Sequence, residues 1–105
     1  MAWFMLIVAG LLEVVWAYAM KVSDGFSRPV PSLVTLATMA ASFALLALSM
    51  RTLPLGTAYT VWTGIGAVGA FLVGIIVLGE SATALRIVAA LLILAGLVLM
   101  KVSTS

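Results

Sequence analysis

Glu13 is the residue of this sequence whose type and position most clearly predict chemistry. It lies near the middle of residues 3–20, a run that is otherwise free of charged side chains. A charge at the bilayer centre costs about 2.5–3.5 kcal/mol on insertion scales, and such residues usually face a bundle interior and mark ion or proton pathways. The carboxylate must be neutralised by a proton or by a cation, and alternation between the two is the minimal chemistry of an exchanger. A plainer alternative is a protonated Glu13 that only hydrogen-bonds between helices.

Helical spacing predicts which residues surround this carboxylate. Gly10 and Trp16 fall one turn before and after Glu13, and we expect Gly10 to leave room beside it. Tyr59 and Trp62 form a comparable stripe on a later apolar segment. Aromatic faces attract organic cations, and hydroxyl or indole N–H groups can orient a carboxylate. We therefore predict a pocket lined by these groups, whereas an interfacial aromatic belt is the alternative for the tryptophans.

The second apolar segment contributes one hydroxyl near its middle and two larger side chains beside it. Ser42 is predicted either to hydrogen-bond Glu13 or to bond back to the carbonyl of residue 38. Met39 lies one turn before it and Phe43 directly after it, and both are predicted to pack or to form a portal toward lipid.

Glycines are concentrated in the third apolar segment. Small residues spaced four apart permit close approach of membrane helices, and glycines also make a hinge plausible. The predicted hinge and packing positions are Gly64, Gly66, Gly69 and Gly74. The segment is not a phosphate loop, because no lysine follows these glycines.

Composition shows what surrounds these residues. Of 105 residues, 66% are hydrophobic and only 8% are charged, which is typical of a membrane protein and not of a small soluble domain. The absence of cysteine and histidine removes thiolate ligands and the commonest metal ligand and general base, and only three acidic residues remain, so we predict no metal, no cofactor and no enzyme activity. A net charge of +2 is no signal for nucleic-acid binding.

The charged residues divide the chain into four segments. They cover about residues 3–20, 31–50, 55–79 and 85–102, and predict one all-α membrane domain over residues 1–105. The uncharged part of the last segment, residues 87–100, has only 14 residues and spans a bilayer if Arg86 and Lys101 snorkel. A cleaved signal peptide is disfavoured, because no basic residue precedes the first segment and Glu13 would interrupt it.

The basic residues are nearly balanced between the two sides of the predicted membrane domain. Four spans place both ends on one side, with Arg51 and Lys101 there and with Lys21, Arg28 and Arg86 opposite. So small a difference is a weak orientation signal under the positive-inside rule. Either the chain has one orientation, or it inserts both ways and pairs into an antiparallel homodimer with the inverted symmetry of larger transporters.

Two stretches, AGLLEVVWA at residues 9–17 and LPLGTAYTVWTGIGAVGA at residues 53–70, together with the four-span length, resemble the small multidrug resistance family. The second stretch is similar to its guanidinium exporters in particular. The resemblance implies a dual-topology homodimer in the bacterial inner membrane that exports guanidinyl cations in exchange for protons. It implies that Glu13 binds both, that the last helix is the main dimer contact, and that the pocket is lined by Gly10, Trp16, Ser42, Tyr59 and Trp62. Thr60 departs from the pattern, which has alanine there, and puts the substrate range in question.

Three other functions stay open at this stage. An exporter of bulkier quaternary ammonium cations would have the same fold and the same Glu13. A structural or assembly subunit would use Glu13 only as interhelical glue. A passive channel would conduct without any effect of a proton gradient.

Overall fold

The computed structural model describes residues 1–103, and these form four helices joined by short turns. They are α1 (Ala2–Val22), α2 (Pro29–Ser49), α3 (Leu55–Ile76) and α4 (Ala84–Ser103). Each is long and apolar enough to cross a membrane. The predicted four-helix membrane architecture is therefore confirmed at this level. The last two residues of the predicted domain, 104 and 105, lie outside the described part.

The helix ends differ from the predicted spans where local backbone chemistry intervenes. α2 begins at Pro29, because the fixed φ of proline and its missing N–H suit the first turn of a helix. α3 ends at Ile76 and not at residue 79, because Gly79 adopts a positive φ of 71° and the Glu80 N–H turns back to the Gly74 carbonyl at 2.9 Å. α4 has 20 residues, so its charged ends extend the short uncharged run to a spanning length.

The helices form a row in the order α2, α1, α3, α4. α1 packs against α2 and α3, whereas α4 has its backbone neighbour in α3. The backbone extends over 43 × 34 × 16 Å, so the four helices form a flattened layer. Much of its apolar surface is exposed, as the side chains of Phe4, Leu33 and Leu92 show.

Glycines let α3 approach its neighbours on two sides. A Cβ atom added at Gly10 would lie 2.6 Å from the Ile65 side chain, and one at Gly69 would overlap Val14. On the other side of α3, Gly64 receives the side chain of Leu97 from α4. α3 is one unbroken helix through all of its glycines.

The buried core is small and belongs to the first three helices. It consists of Leu6, Ala9, Leu46, Ala58, Val61 and Trp62. No residue of α4 is buried, although this helix is strongly apolar. Such a distribution suits lipid or another helix as the neighbour of α4, and it leaves α1 and α3 as the elements that position the functional groups.

Candidate cation-binding site

The carboxylate of Glu13 reaches from α1 to α3 and lies against Gly66. A Cβ atom at Gly66 would overlap the Oε1 and Cδ atoms of Glu13, so this position accepts the carboxylate only as glycine. The space beside the carboxylate therefore comes from Gly66, on another helix, and not from Gly10 as the helical spacing predicted. Gly10 instead faces Ile65 and brings α1 and α3 close together.

Two polar atoms, on residues one helical turn apart in α1, are buried without a hydrogen-bond partner among the described residues. They are Oε1 of Glu13 and Nε1 of Trp16. A buried donor or acceptor that makes no bond costs about 1–3 kcal/mol. The Glu13 oxygen is thus a free acceptor for the N–H donors of a cation, whereas the indole N–H of Trp16 can only donate to an acceptor and does not itself bond a guanidinium ion.

Ser42 has neither of the two partners predicted from the sequence. Its hydroxyl donates to the Ala9 carbonyl at 2.7 Å, and it accepts a hydrogen bond from Trp62 Nε1 at 3.0 Å. Since its one proton is used on α1, Ser42 does not donate to Glu13. The two hydrogen bonds of Ser42 instead link α2 to α1 and to α3, at the level of Ala9, one turn before Glu13. They also hold the Trp62 indole in place. That role depends on contacts of high sequence separation, and no local pattern indicates it.

Four aromatic rings form a chain across the three helices. Phe43 lies 6.4 Å from Trp16 and 5.7 Å from Trp62, and the ring of Tyr59 lies 5.6 Å from Trp62. Phe43 is 47% exposed and Tyr59 is 53% exposed, whereas Trp62, which lies between them, is buried. Met39, the other predicted portal residue, is partly buried one turn before Phe43. The structure thus gathers the predicted tryptophans around Phe43, and no hydrogen bond from Trp62 or Tyr59 reaches the carboxylate among residues 1–103.

Thr60 lies on a different side of α3 from the carboxylate. It lines a groove of about 490 Å³ between α3 and α4, together with Tyr59, Thr63 and Gly96. The hydroxyl that departs from the family pattern consequently faces this groove and not the Gly66 seat of Glu13.

Comparison with known proteins gives one consistent result. The family described as Small Multidrug Resistance protein matches residues 1–94. A protein named Guanidinium exporter from Yersinia pseudotuberculosis is 58% identical over 99% of this chain and 100% of its own length. Proteins of the same name from Citrobacter freundii and Escherichia coli are 56% and 55% identical, each over 99% of both chains.

Proposed function

The chain belongs to the small multidrug resistance family, and from this premise we propose that it exports guanidinium and small substituted guanidinyl cations across the bacterial inner membrane in exchange for protons. The printed name of relatives that match nearly the whole chain supports the substrate class. The observation that carries the proposal is the Glu13 carboxylate, which is seated on Gly66 inside a membrane-spanning helix with one oxygen buried and unpaired.

The chemistry of guanidinium fits this carboxylate. The cation is planar and presents a fork of N–H donors that a carboxylate accepts in pairs. The chain of aromatic rings beside the site offers faces on which a flat cation stacks. Trp16 and Tyr59 are the residues that we propose to contact it, while Ser42 and Trp62 position the site through their mutual hydrogen bond.

Coupling to protons follows from the need to neutralise Glu13. Proton and cation compete for one carboxylate, because either alone cancels its charge and both together would leave a net charge within the membrane. Binding of a proton therefore releases the cation, and binding of the cation releases the proton. A dimer holds two such carboxylates, so exchange of up to two protons for one cation is chemically available.

We propose that the working unit is an antiparallel homodimer. A single copy buries only a small core, contributed by the first three helices. α4 has no buried residue and offers an apolar surface for the dimer contact, and the nearly balanced basic residues favour insertion in both orientations. The glycines of α3 would supply the hinge, and Met39 with Phe43 would form the side portal toward lipid.

Transport by the purified protein in liposomes tests the proposal. An imposed proton gradient should drive uptake of radiolabelled guanidinium, and Glu13→Gln should reduce the coupled flux by more than about 100-fold, because an amide binds neither a proton nor a cation in this way. The dimer and its thermal stability should be nearly unchanged, since glutamine has the same shape.

The competing functions give different results in the same experiment. Movement of a bulky aromatic ammonium but not of guanidinium would assign the chain to a broader multidrug activity. Guanidinium flux that ignores the proton gradient would indicate a channel. Full function in Glu13→Gln would leave the carboxylate as interhelical glue and would overturn the exchanger.

A further inference from the structure

A second glutamate, Glu80, is also seated on a glycine of α3. Gly79 turns the chain back at the end of α3, with its φ of 71°, and the Glu80 N–H donates to the Gly74 carbonyl at 2.9 Å. The Glu80 carboxylate then lies against the α carbon of Gly74, where a Cβ atom would overlap its Oε1 atom. This fold-back holds a carboxylate over the membrane-surface end of α3, outside the spanning segments.

The guanidinium group of Arg86 occupies the space in front of this carboxylate. It lies 3.7 Å from Glu80 Oε1, donates to the Ser81 carbonyl at 2.6 Å, and stacks over the Phe71 ring at 5.1 Å. An anion, a carbonyl acceptor and an aromatic face are the three kinds of group that recognise a guanidinium ion. Glu80, the Ser81 carbonyl and Phe71 therefore form a guanidinium receptor. The side chain of Arg86 occupies it.

A groove runs from this receptor along α1 and α3 toward the middle of both helices, although Glu13 and Gly66 themselves do not line it. It encloses about 330 Å³ between α1 and α3. Glu80 and Arg86 line its outer end, and Val14 and Ala67, the residues that follow Glu13 and Gly66 in sequence, line its inner end. Lys21 lines it as well, so that Glu80 is the one acidic side chain among the lining residues.

We propose that Glu80, Phe71 and the Ser81 carbonyl form a second binding site for the guanidinyl cation at the mouth of this groove, where the substrate displaces Arg86. This inference rests on the proposed function for the identity of the substrate. The exchange conserves charge at the receptor, because one guanidinium replaces another of the same shape. The two side chains are 41% and 44% exposed, and exposed ion pairs are weak enough to be exchanged by a free ligand. The released Arg86 remains covalently tethered beside the site and displaces the cation again when its concentration falls.

Equilibrium binding in a protein without the central carboxylate isolates this site. Radiolabelled guanidinium is titrated, at low ionic strength, into the Glu13→Gln protein in lipid nanodiscs. Weak binding should remain, and adding Arg86→Ala should tighten it by about two- to sixfold, which is the factor expected when an exposed ion pair ceases to compete. Adding Glu80→Gln should remove it. Asp24→Asn is the matched control. It also deletes one negative charge on the same side of the membrane, but from the turn between α1 and α2, and it should not change guanidinium binding.

A second measurement keeps the test decisive if the Arg86 variant does not fold. In the Glu13→Gln protein, the nitrogen resonances of the Arg86 side chain should shift on addition of guanidinium, and those of Arg51, on the opposite side, should not. Unchanged binding after Glu80→Gln, or an unresponsive Arg86, would overturn the second site. If the protein with Glu13 intact still transports guanidinium, such a result leaves the proposed function standing, whereas absence of that transport refutes the proposed function itself.

Discussion

Glu13 and Glu80 are positioned in the same way and differ in the group that neutralises the charge of the carboxylate. Each carboxylate lies against a glycine of α3, Gly66 for the first and Gly74 for the second. Glu80 has the internal cation Arg86 at 3.7 Å, whereas Glu13 has no basic residue within ion-pair distance among residues 1–103 and has a buried, unpaired oxygen.

The difference indicates how one structural device serves two purposes. A glycine leaves space on the surface of α3 that the carboxylate of another segment occupies. Where the chain supplies its own cation, the result is an exposed ion pair, which we propose to be exchangeable. Where it supplies none, and the surroundings are lipid, the carboxylate depends on a proton or a cation from outside.

Substitution of Gly66 should have the largest effect. A methyl group there would displace the Glu13 carboxylate from its position against α3, and a displacement of about 1 Å of a functional group can lower a rate by up to about 100-fold. We expect Gly66→Ala to lower guanidinium transport by about tenfold or more, measured as initial flux in liposomes. Because the displaced group is the end of a flexible side chain, the thermal stability should fall little.

Gly69→Ala is the matched control for that experiment. Its Cβ atom would overlap Val14 in the same α1–α3 interface without touching the carboxylate. The stiff valine cannot move aside as glutamate does, so this variant should lose stability more than specific activity. Equal loss of transport in both variants would show that helix packing, and not the carboxylate seat, matters at Gly66.

Removal of the Ser42 hydroxyl should have an intermediate effect. Ser42→Ala leaves the Trp62 indole without its acceptor, and we expect a loss of about 1–3 kcal/mol in the free energy of unfolding. Ser49→Ala is the comparison, because Ser49 is equally buried but only bonds back to Leu46 within its own helix at 2.7 Å. Unfolding in mixed micelles should therefore separate the two variants, and identical stabilities would contradict a role of Ser42 between helices.

Substitution of Gly74 should have the smallest effect. In Gly74→Ala the new methyl group meets only the exposed end of Glu80, while alanine favours the helix by about 1 kcal/mol. We expect unchanged or slightly higher thermal stability and a change of about threefold or less in the apparent KM for guanidinium. A loss of transport as large as that of Gly66→Ala would contradict the different roles that we give to the central carboxylate on Gly66 and the surface carboxylate on Gly74.

Much of the fold could be predicted because lipid imposes simple rules. Four apolar runs between charged residues predict four helices, since a backbone in hydrocarbon must satisfy its hydrogen bonds internally. The exceptional position of Glu13 follows from the same rule, because no other carboxylate lies within a spanning segment. The end of α3 was misplaced by three residues, because the fold-back at Gly79 depends on a positive φ that the uncharged run does not indicate.

Local spacing predicted which residues share a face of α1 with Glu13 and could not predict which residues of the other helices the carboxylate contacts. Gly10 has the right spacing, but the rotation of α1 against α3 turns it toward Ile65 and directs the carboxylate to Gly66. The sequence predicts that Ser42 hydrogen-bonds Glu13 or a carbonyl of its own helix, yet the position of α2 along the axis of α1 places it beside the Ala9 carbonyl and the Trp62 indole.

The sequence by itself determined the four helices and the one carboxylate that lipid makes costly, because hydrophobicity and length are properties of single segments. The tertiary structure alone decided which glycine seats each carboxylate and which serine holds which indole, because those pairings depend on the relative rotation and height of helices, which no single segment encodes.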